Sequence, residues 1–221
     1  MNAQIAGLYA ITPDLADTDE LLRRVRTALT GGARILQYRN KTAPPALRLV
    51  QARALQTLCT AGGVPLIIND HLDLAQEVGA AGLHLGGDDG DIATARAQLG
   101  PDRLLGVSCY DRIELAQAAL AAGADHIAFG SFFDSSIKPG AVHPPLNLIT
   151  RAKRQFRIPV VAIGGITPQN APQLIAAGVD AVAVISAVFS AADIEAAARA
   201  FKSLFDQPPF ERPHEEKSET L

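Results

Sequence analysis

The feature that most constrains this chain is an alternation: short runs rich in Val, Ile and Leu are separated by longer Ala-, Leu- and Arg-rich segments of helical period. Repeated strand-helix units of this kind bury a parallel sheet beneath helices. Strands are expected at Leu8–Thr12, Arg34–Tyr38, Leu66–Asn69, Gly82–Leu85, Leu104–Ser108, His126–Gly130, Val160–Ile163 and Ala181–Ile185. Helix starts are expected at Asp19, Pro44, Asp111, Pro144, Pro168 and within Ser190–Asp193, all residue types favoured there.

A small residue plus Gly recurs just before strands, at Gly31-Gly32-Ala33, Gly79-Ala80-Ala81-Gly82, Ala122-Gly123-Ala124-Asp125 and Ala177-Gly178-Val179-Asp180. Helices that end in left-handed glycine turns fit this pattern. The spacing, roughly two strand-helix units, suits a barrel whose alternate strands pack in equivalent layers. The expectation is therefore an α/β fold, a (β/α)8 TIM barrel of eight parallel strands inside outer helices. A doubly wound open sheet is the alternative topology, but Thr12-Pro13-Asp14 after the first strand is no Gly-rich dinucleotide fingerprint.

The length of 221 residues suits one such barrel, so a single catalytic domain is expected over residues 1–206. Residues 207–221 open on Pro208-Pro209, crowd their charges and lose apolar periodicity, and read as a disordered tail. A net charge of −3 gives no basic excess for nucleic acid, so any anion affinity must be local. No basic start followed by a long apolar stretch is present, and the apolar region Leu174–Ala192 is broken by Gly178 and Asp180, so neither a secretory signal nor a membrane span is expected. Cys59 and Cys109 lack metal-ligand spacing and are too few for a disulfide framework; free thiols in the cytoplasm are the simpler reading.

The apolar runs end in groups suited to anions or metal, and the carboxyl ends of parallel barrel strands share one face. Gln37, Arg39 and Lys41 alternate, so an extended strand end sends one amide and two cations the same way, a grip for a diphosphate. Asp70 and Asp89 follow successive strands and would hold Mg2+, which takes one or two carboxylates plus substrate phosphate oxygens. Asp88 competes with Asp89, and Asp70 alternatively caps the next helix. His71, His84, His126 and His143 have no carboxylate partner at a telling spacing and are assigned to solvent or core.

The segment from Gly130 to Gly140 places Ser135 and Ser136 near Lys138 and reads as a phosphate-binding lid that closes over a reactive intermediate. Gly164-Gly165-Ile166 and Val184-Ile185-Ser186, at the last two strand ends, read as a backbone phosphate cradle.

From Leu8 to about Phe205 the chain resembles the thiamine-phosphate synthase family. The resemblance rests on Gln37-Tyr38-Arg39-Asn40-Lys41, Asn69-Asp70, His84-Leu85-Gly86 with Asp89, Gly106-Val107-Ser108, the Gly130–Lys138 loop, Ile163-Gly164-Gly165-Ile166 with Asn170, and Val184-Ile185-Ser186. It implies coupling of a hydroxymethylpyrimidine diphosphate to a thiazole phosphate, with Mg2+ as cofactor at Asp70 and Asp89. Arg39, Lys41 and Lys138 would be catalytic. Substrate contacts would come from Gln37, Tyr38, Arg39, Asn40, Lys41, Asn69, Ser108, Ser135, Ser136, Ile137, Lys138, Gly165, Ile185 and Ser186.

The implied mechanism is dissociative: diphosphate leaves first and the thiazole nitrogen captures the pyrimidine cation. The chain departs from the family pattern at Gly87, where Gln is usual, at Ile137, where Thr is usual, and at Asp134, where Pro or Glu is more frequent. The partners implied are small molecules, with neither nucleic acid nor membrane; a homo-oligomer is compatible with the sequence. Rival functions are a thiazole tautomerase-like barrel, which would not need Arg39, Lys41, Asp70 and Asp89 together, and a non-catalytic barrel that binds a phosphorylated metabolite.

Overall fold

The structure, a computed structural model, describes residues 5–86, 90–134 and 143–206. The order is β1 Gly7–Ile11, α1 Thr18–Thr30, β2 Ile35–Tyr38, α2 Pro45–Gly62, β3 Leu66–Asn69, α3 Leu72–Glu77, β4 Gly82–Leu85, α4 Ile92–Leu99, β5 Leu104–Tyr110 and α5 Ile113–Ala121. It continues with β6 His126–Phe129, α6 Asn147–Gln155, β7 Val160–Ile163, α7 Ala171–Ala177, β8 Ala181–Val184, α8 Ser186–Phe189 and α9 Ile194–Phe205. Each strand pairs in parallel with the next, and β8 closes on β1 in the register Tyr9↔Ala183. The open doubly wound sheet is thereby excluded, because its edge strands would not meet. The expected tail, residues 207–221, lies outside the described residues.

Alternation along the strands makes two apolar regions. Outward residues such as Leu36, Ile68, Leu83, Val107, Phe129 and Val182 pack under the helices, while Tyr9, Ile11, Ile35, Ile67, Ala128, Val161, Ala181 and Ala183 fill the barrel axis. Both periods are therefore satisfied at once: helix α1 buries Leu21, Val25 and Ala28 on one stripe, and the strands are buried on both faces.

Helix starts follow local capping chemistry and differ from the expectation by a few residues. Asp17, not Asp19, caps α1, its carboxylate accepting the Glu20 amide at 3.0 Å, while Asp19 sits in the first turn where its charge suits the helix dipole. Pro44 precedes α2 and Asp193 caps α9 through the Ala196 amide, as expected. After Asp111, Pro144 and Pro168 the chain runs on before α5, α6 and α7 begin, because those residues close loops. Gly32, Gly79, Gly123 and Gly178 take positive φ at helix ends, whereas Gly31 is right-handed at φ −70° and is small for another reason: a Cβ there would stand 2.6 Å from the Glu195 carbonyl of α9.

The repeat ending in Asp has a structural cause at the amino-terminal face. Asp125 accepts the Leu105 amide at 2.7 Å and pairs with Arg96; Asp180 accepts the Val160 amide at 2.7 Å and pairs with Lys153 at 2.7 Å. Each carboxylate fastens the strand it precedes to the preceding strand. Conserving a face of this kind for stability, opposite the functional face, is the barrel rule.

Near the axis His84, Gly106 and His126 lie side by side on β4, β5 and β6. The two imidazoles are 5.8 Å apart, and a Cβ on Gly106 would meet His126 Nε2 at 2.2 Å and His84 Nδ1 at 2.6 Å. His126 is fully buried, neither ring nitrogen has a hydrogen-bond partner among the described residues, and burial with the nearby His84 pushes its pKa down to about 3. Gly106→Ala should destabilise the barrel by about 1–3 kcal/mol in urea unfolding, since neither ring can retreat. Because the unfolded chain binds a proton on His126 that the folded chain refuses, stability should be full above about pH 6.5 and fall as the pH drops from there toward 3. The urea midpoint should accordingly be lower at pH 5 than at pH 7.5, and His126→Phe should shrink that difference.

Candidate active site

At the carboxyl ends of the strands a cavity of about 820 Å³ opens, lined from β1, β2, β3, β5, β7 and β8 among others. A closed parallel barrel with a polar cavity at this end has the architecture of an enzyme. Into it come Gln37, Arg39, Lys41, Asn69, Asp70, Ser108, Gly165, Ile185 and Ser186, all expected from the sequence. In an eight-membered ring β3 stands opposite β7, so Asn69 and Asp70 confront Gly164 and Gly165 across the cavity.

The cationic wall is braced from behind. Thr12, fully buried, accepts the Arg39 amide and donates to the Arg39 carbonyl, both at 2.9 Å. The Arg39 guanidinium meets the Asp14 carboxylate at 3.2 Å, and Lys41 Nζ lies 3.7 Å from Asp70. Gln37 donates to the Tyr9 hydroxyl at 3.0 Å on the cavity floor. Burial raises the Tyr9 pKa and keeps that hydroxyl protonated.

Tyr38 and Asn40, expected among the substrate contacts, point their side chains elsewhere. The strand period sends them to the outer face, where the Tyr38 hydroxyl donates to Gln51 at 2.8 Å and Asn40 donates to the Leu15 carbonyl at 2.8 Å and to Gln51 at 3.1 Å. Asn40 also accepts the Ala43 amide, so it shapes the loop that carries Lys41. These contacts tie the chain on either side of Arg39 to α2 and to the loop after β1. Asp89, Ser135, Ser136, Ile137 and Lys138, together with Asp88 and Gly87, lie outside the described residues.

Asp70 carries a positive φ of 63°, uncommon outside glycine although Asp adopts it more readily than most side chains, with its amide donating to the His84 carbonyl at 2.9 Å. The cap position of α3 falls to His71, so Asp70 belongs to the cavity rather than to the helix start. Tyr110, at φ 52°, follows a register shift in β5 and places its ring on the cavity rim with Asp111.

His84 was assigned to solvent or core, yet it lines the cavity and its Nε2 lies 3.0 Å from the Ser108 hydroxyl. Its strand pattern carried the signal: on β4 it alternates with Leu83 and Leu85, which face the helices. His143 binds the Ser131 carbonyl at 2.8 Å and Asp134 at 3.1 Å, and those contacts raise its pKa, the carbonyl first. It fastens the segment after β6. The two thiols, by contrast, are buried and pushed up to about 12, which makes them inert.

The anionic-ligand wall on β7 and β8 depends on close backbone approach. Phe132 and Phe133 amides donate to the Ile163 and Gly164 carbonyls at 3.1 Å, so a Cβ on Gly165, itself at φ 60°, would lie 2.2 Å from the Asp134 carbonyl. Ser186 and Ala187 open α8, and amides of a first helical turn have no partner inside the helix. Phosphate suits such a place.

A closed parallel barrel whose cavity has one cationic wall and one glycine-lined wall has the architecture of an enzyme acting on small anionic molecules. Comparison with known proteins gives the family. The model described as thiamine monophosphate synthase matches residues 8–188. The thiamine-phosphate synthase of Azoarcus sp. strain BH72 is 56% identical over 205 residues, covering 93% of this chain and all of that protein. That of Bordetella bronchiseptica is 54% identical over 210 residues, covering 92% of this chain and 97% of that one. The solved thiamine phosphate pyrophosphorylase of Pyrococcus furiosus is 33% identical, with a TM-score of 0.82, and covers 92% of this chain and 97% of that one. The chain belongs to the thiamine-phosphate synthase family. No helix among the described residues is long and apolar enough to cross a membrane.

Gly165→Ala should separate the Phe133–Asp134 backbone from β7. We expect it to lower turnover at least tenfold and to weaken phosphate binding, read by titration with inorganic phosphate, while the folded barrel persists in circular dichroism.

Proposed function

We propose that this chain is a thiamine-phosphate synthase: it couples 4-amino-2-methyl-5-hydroxymethylpyrimidine diphosphate to a (carboxy)thiazole phosphate, forming thiamine phosphate and releasing diphosphate. The observation that carries this reading is the convergence of Arg39 and Lys41 with Asn69 and Asp70 on one side of a cavity whose other side is built from Gly164, Gly165 and Ser186. Two phosphorylated substrates need two such sites at once. The family membership points the same way.

The donor set fits Mg2+. Among the described residues no three His, Cys, Asp or Glu side chains gather into a ready-made cage, while Asp70 lines the cavity beside the cations. Mg2+ needs no more than one or two carboxylates, keeping its waters and taking phosphate oxygens; Asp70 with Asp89 would hold it. Held by those carboxylates, the ion would supply charge neutralisation for the diphosphate.

Arg39 and Lys41 stabilise the charge that grows on the departing diphosphate, and Lys138 completes the set by family resemblance. Gln37 and Ser108, at the cavity floor, orient the pyrimidine. The cradle at Gly165, Ile185 and Ser186, to which the family resemblance adds Ser135 and Ser136, holds the thiazole phosphate so that its ring nitrogen meets the exposed carbon of the pyrimidine cation. Because the aminopyrimidine itself expels diphosphate, no paired nucleophile and base is required, and the cytoplasm supplies both small substrates.

Purified protein with both substrates and Mg2+ should produce thiamine phosphate and diphosphate in equal amounts. Arg39→Ala and Lys138→Ala should each slow coupling by about 100-fold or more, and EDTA should abolish it. Near-normal rates in EDTA remove the metal from the scheme. Isomerisation of the thiazole without coupling indicates a tautomerase, and binding of both substrates without turnover indicates a metabolite-binding barrel.

A further inference from the structure

Asp14 lies on the loop after β1, outside the cavity lining, yet it touches both cationic residues of the grip. Its carboxylate accepts from Arg39 NH1 at 3.2 and 3.4 Å and from the Lys41 backbone amide at 3.0 Å. Beside it Thr12 pins the Arg39 backbone from both sides. The β1 end therefore fixes the β2 end three times over: at the Arg39 peptide, at the Arg39 head and at the Lys41 peptide.

A guanidinium offers five N–H donors in a rigid fork. Asp14 engages Nη1, and among the described residues no hydrogen-bond partner takes Nε or Nη2, which can meet a ligand in the cavity that Arg39 lines. The other cation has a different neighbour. Lys41 Nζ meets Asp70, which sits inside the cavity, and its side chain is 56% exposed against 21% for Arg39. Arg39 is the more buried and more fully braced member of the grip, and its brace comes from outside the cavity lining. An anion entering the cavity can take Arg39 without displacing Asp14.

We propose that Asp14 is a positioning residue of the diphosphate site, holding the Arg39 fork and the Lys41 peptide in the arrangement that receives the leaving group. The proposal rests on the reading of this cavity as a diphosphate site. Its reach is specific: among the described residues its hydrogen bonds and ion pair run to Arg39 and Lys41 after β2, and none runs to the β7–β8 cradle.

The test uses the full chain in Mg2+ buffer, titrated calorimetrically with inorganic diphosphate and assayed for both KM values. Asp14→Asn keeps an acceptor for the Lys41 amide and removes the charge; Asp14→Ala removes both. We expect diphosphate to bind about fivefold more weakly to the Asn variant and more weakly still to the Ala variant. The KM for the pyrimidine diphosphate should rise in parallel, while the KM for the thiazole phosphate stays unchanged. The Asn variant should melt within about 2 °C of the parent, which a merely structural role would not allow alongside selective loss; if the Ala variant fails to fold, the Asn variant decides. Unchanged diphosphate affinity in Asp14→Asn overturns the proposal, as does tighter binding, which would make Asp14 a competitor for Arg39. A parent chain that ignores inorganic diphosphate sinks the site reading as well; a parent that binds and turns over beside an unaffected Asn variant sinks this proposal alone.

Discussion

Closure of β8 onto β1 is the constraint on which the rest depends. The pairing runs from Gly7↔Ala181 to Ala10↔Val184, and it places the end of β2 two strands from the end of β8. In an open sheet those two ends would be at opposite margins, and a cation grip and an amide cradle could not share a cavity. Closure is made possible by what points inward: small residues such as Ala128, Ala181 and Ala183 pack with Tyr9, Ile35 and Ile67 in one inner cluster.

The two ends of the barrel divide the labour. At the amino-terminal end Asp125 and Asp180 bind the amides of preceding strands and a cation each, which fixes strand against strand. At the carboxyl-terminal end the polar groups face the cavity, and Asp70 is held there at positive φ. Such a state persists only where surrounding packing over-determines it. Rigidity at one end thus supports a preorganised site at the other.

The fold was legible because period and spacing survive in one dimension. The strands expected at Leu66–Asn69, Gly82–Leu85 and Val160–Ile163 match those observed, the other five differ by one or two positions at an end, and Gly178 and Asp193 mark real helix boundaries. Expectation slipped where a residue's neighbours are distant. Gly31 is small because α9 crosses it, and Asp111 leaves the helix start to line the cavity. Neither fact has a local signature.

The cation grip was written in the sequence itself. Alternation in an extended strand sends Gln37, Arg39 and Lys41 to one side and Tyr38 and Asn40 to the other, a consequence of local geometry that needs no partner. Tertiary structure alone decided that Asp14 meets Arg39 and that Tyr110 reaches the cavity, because each arrives from another strand end and no spacing along the chain encodes a meeting between loops. The sequence settles which way a side chain leaves its own strand; only barrel closure settles what it meets there.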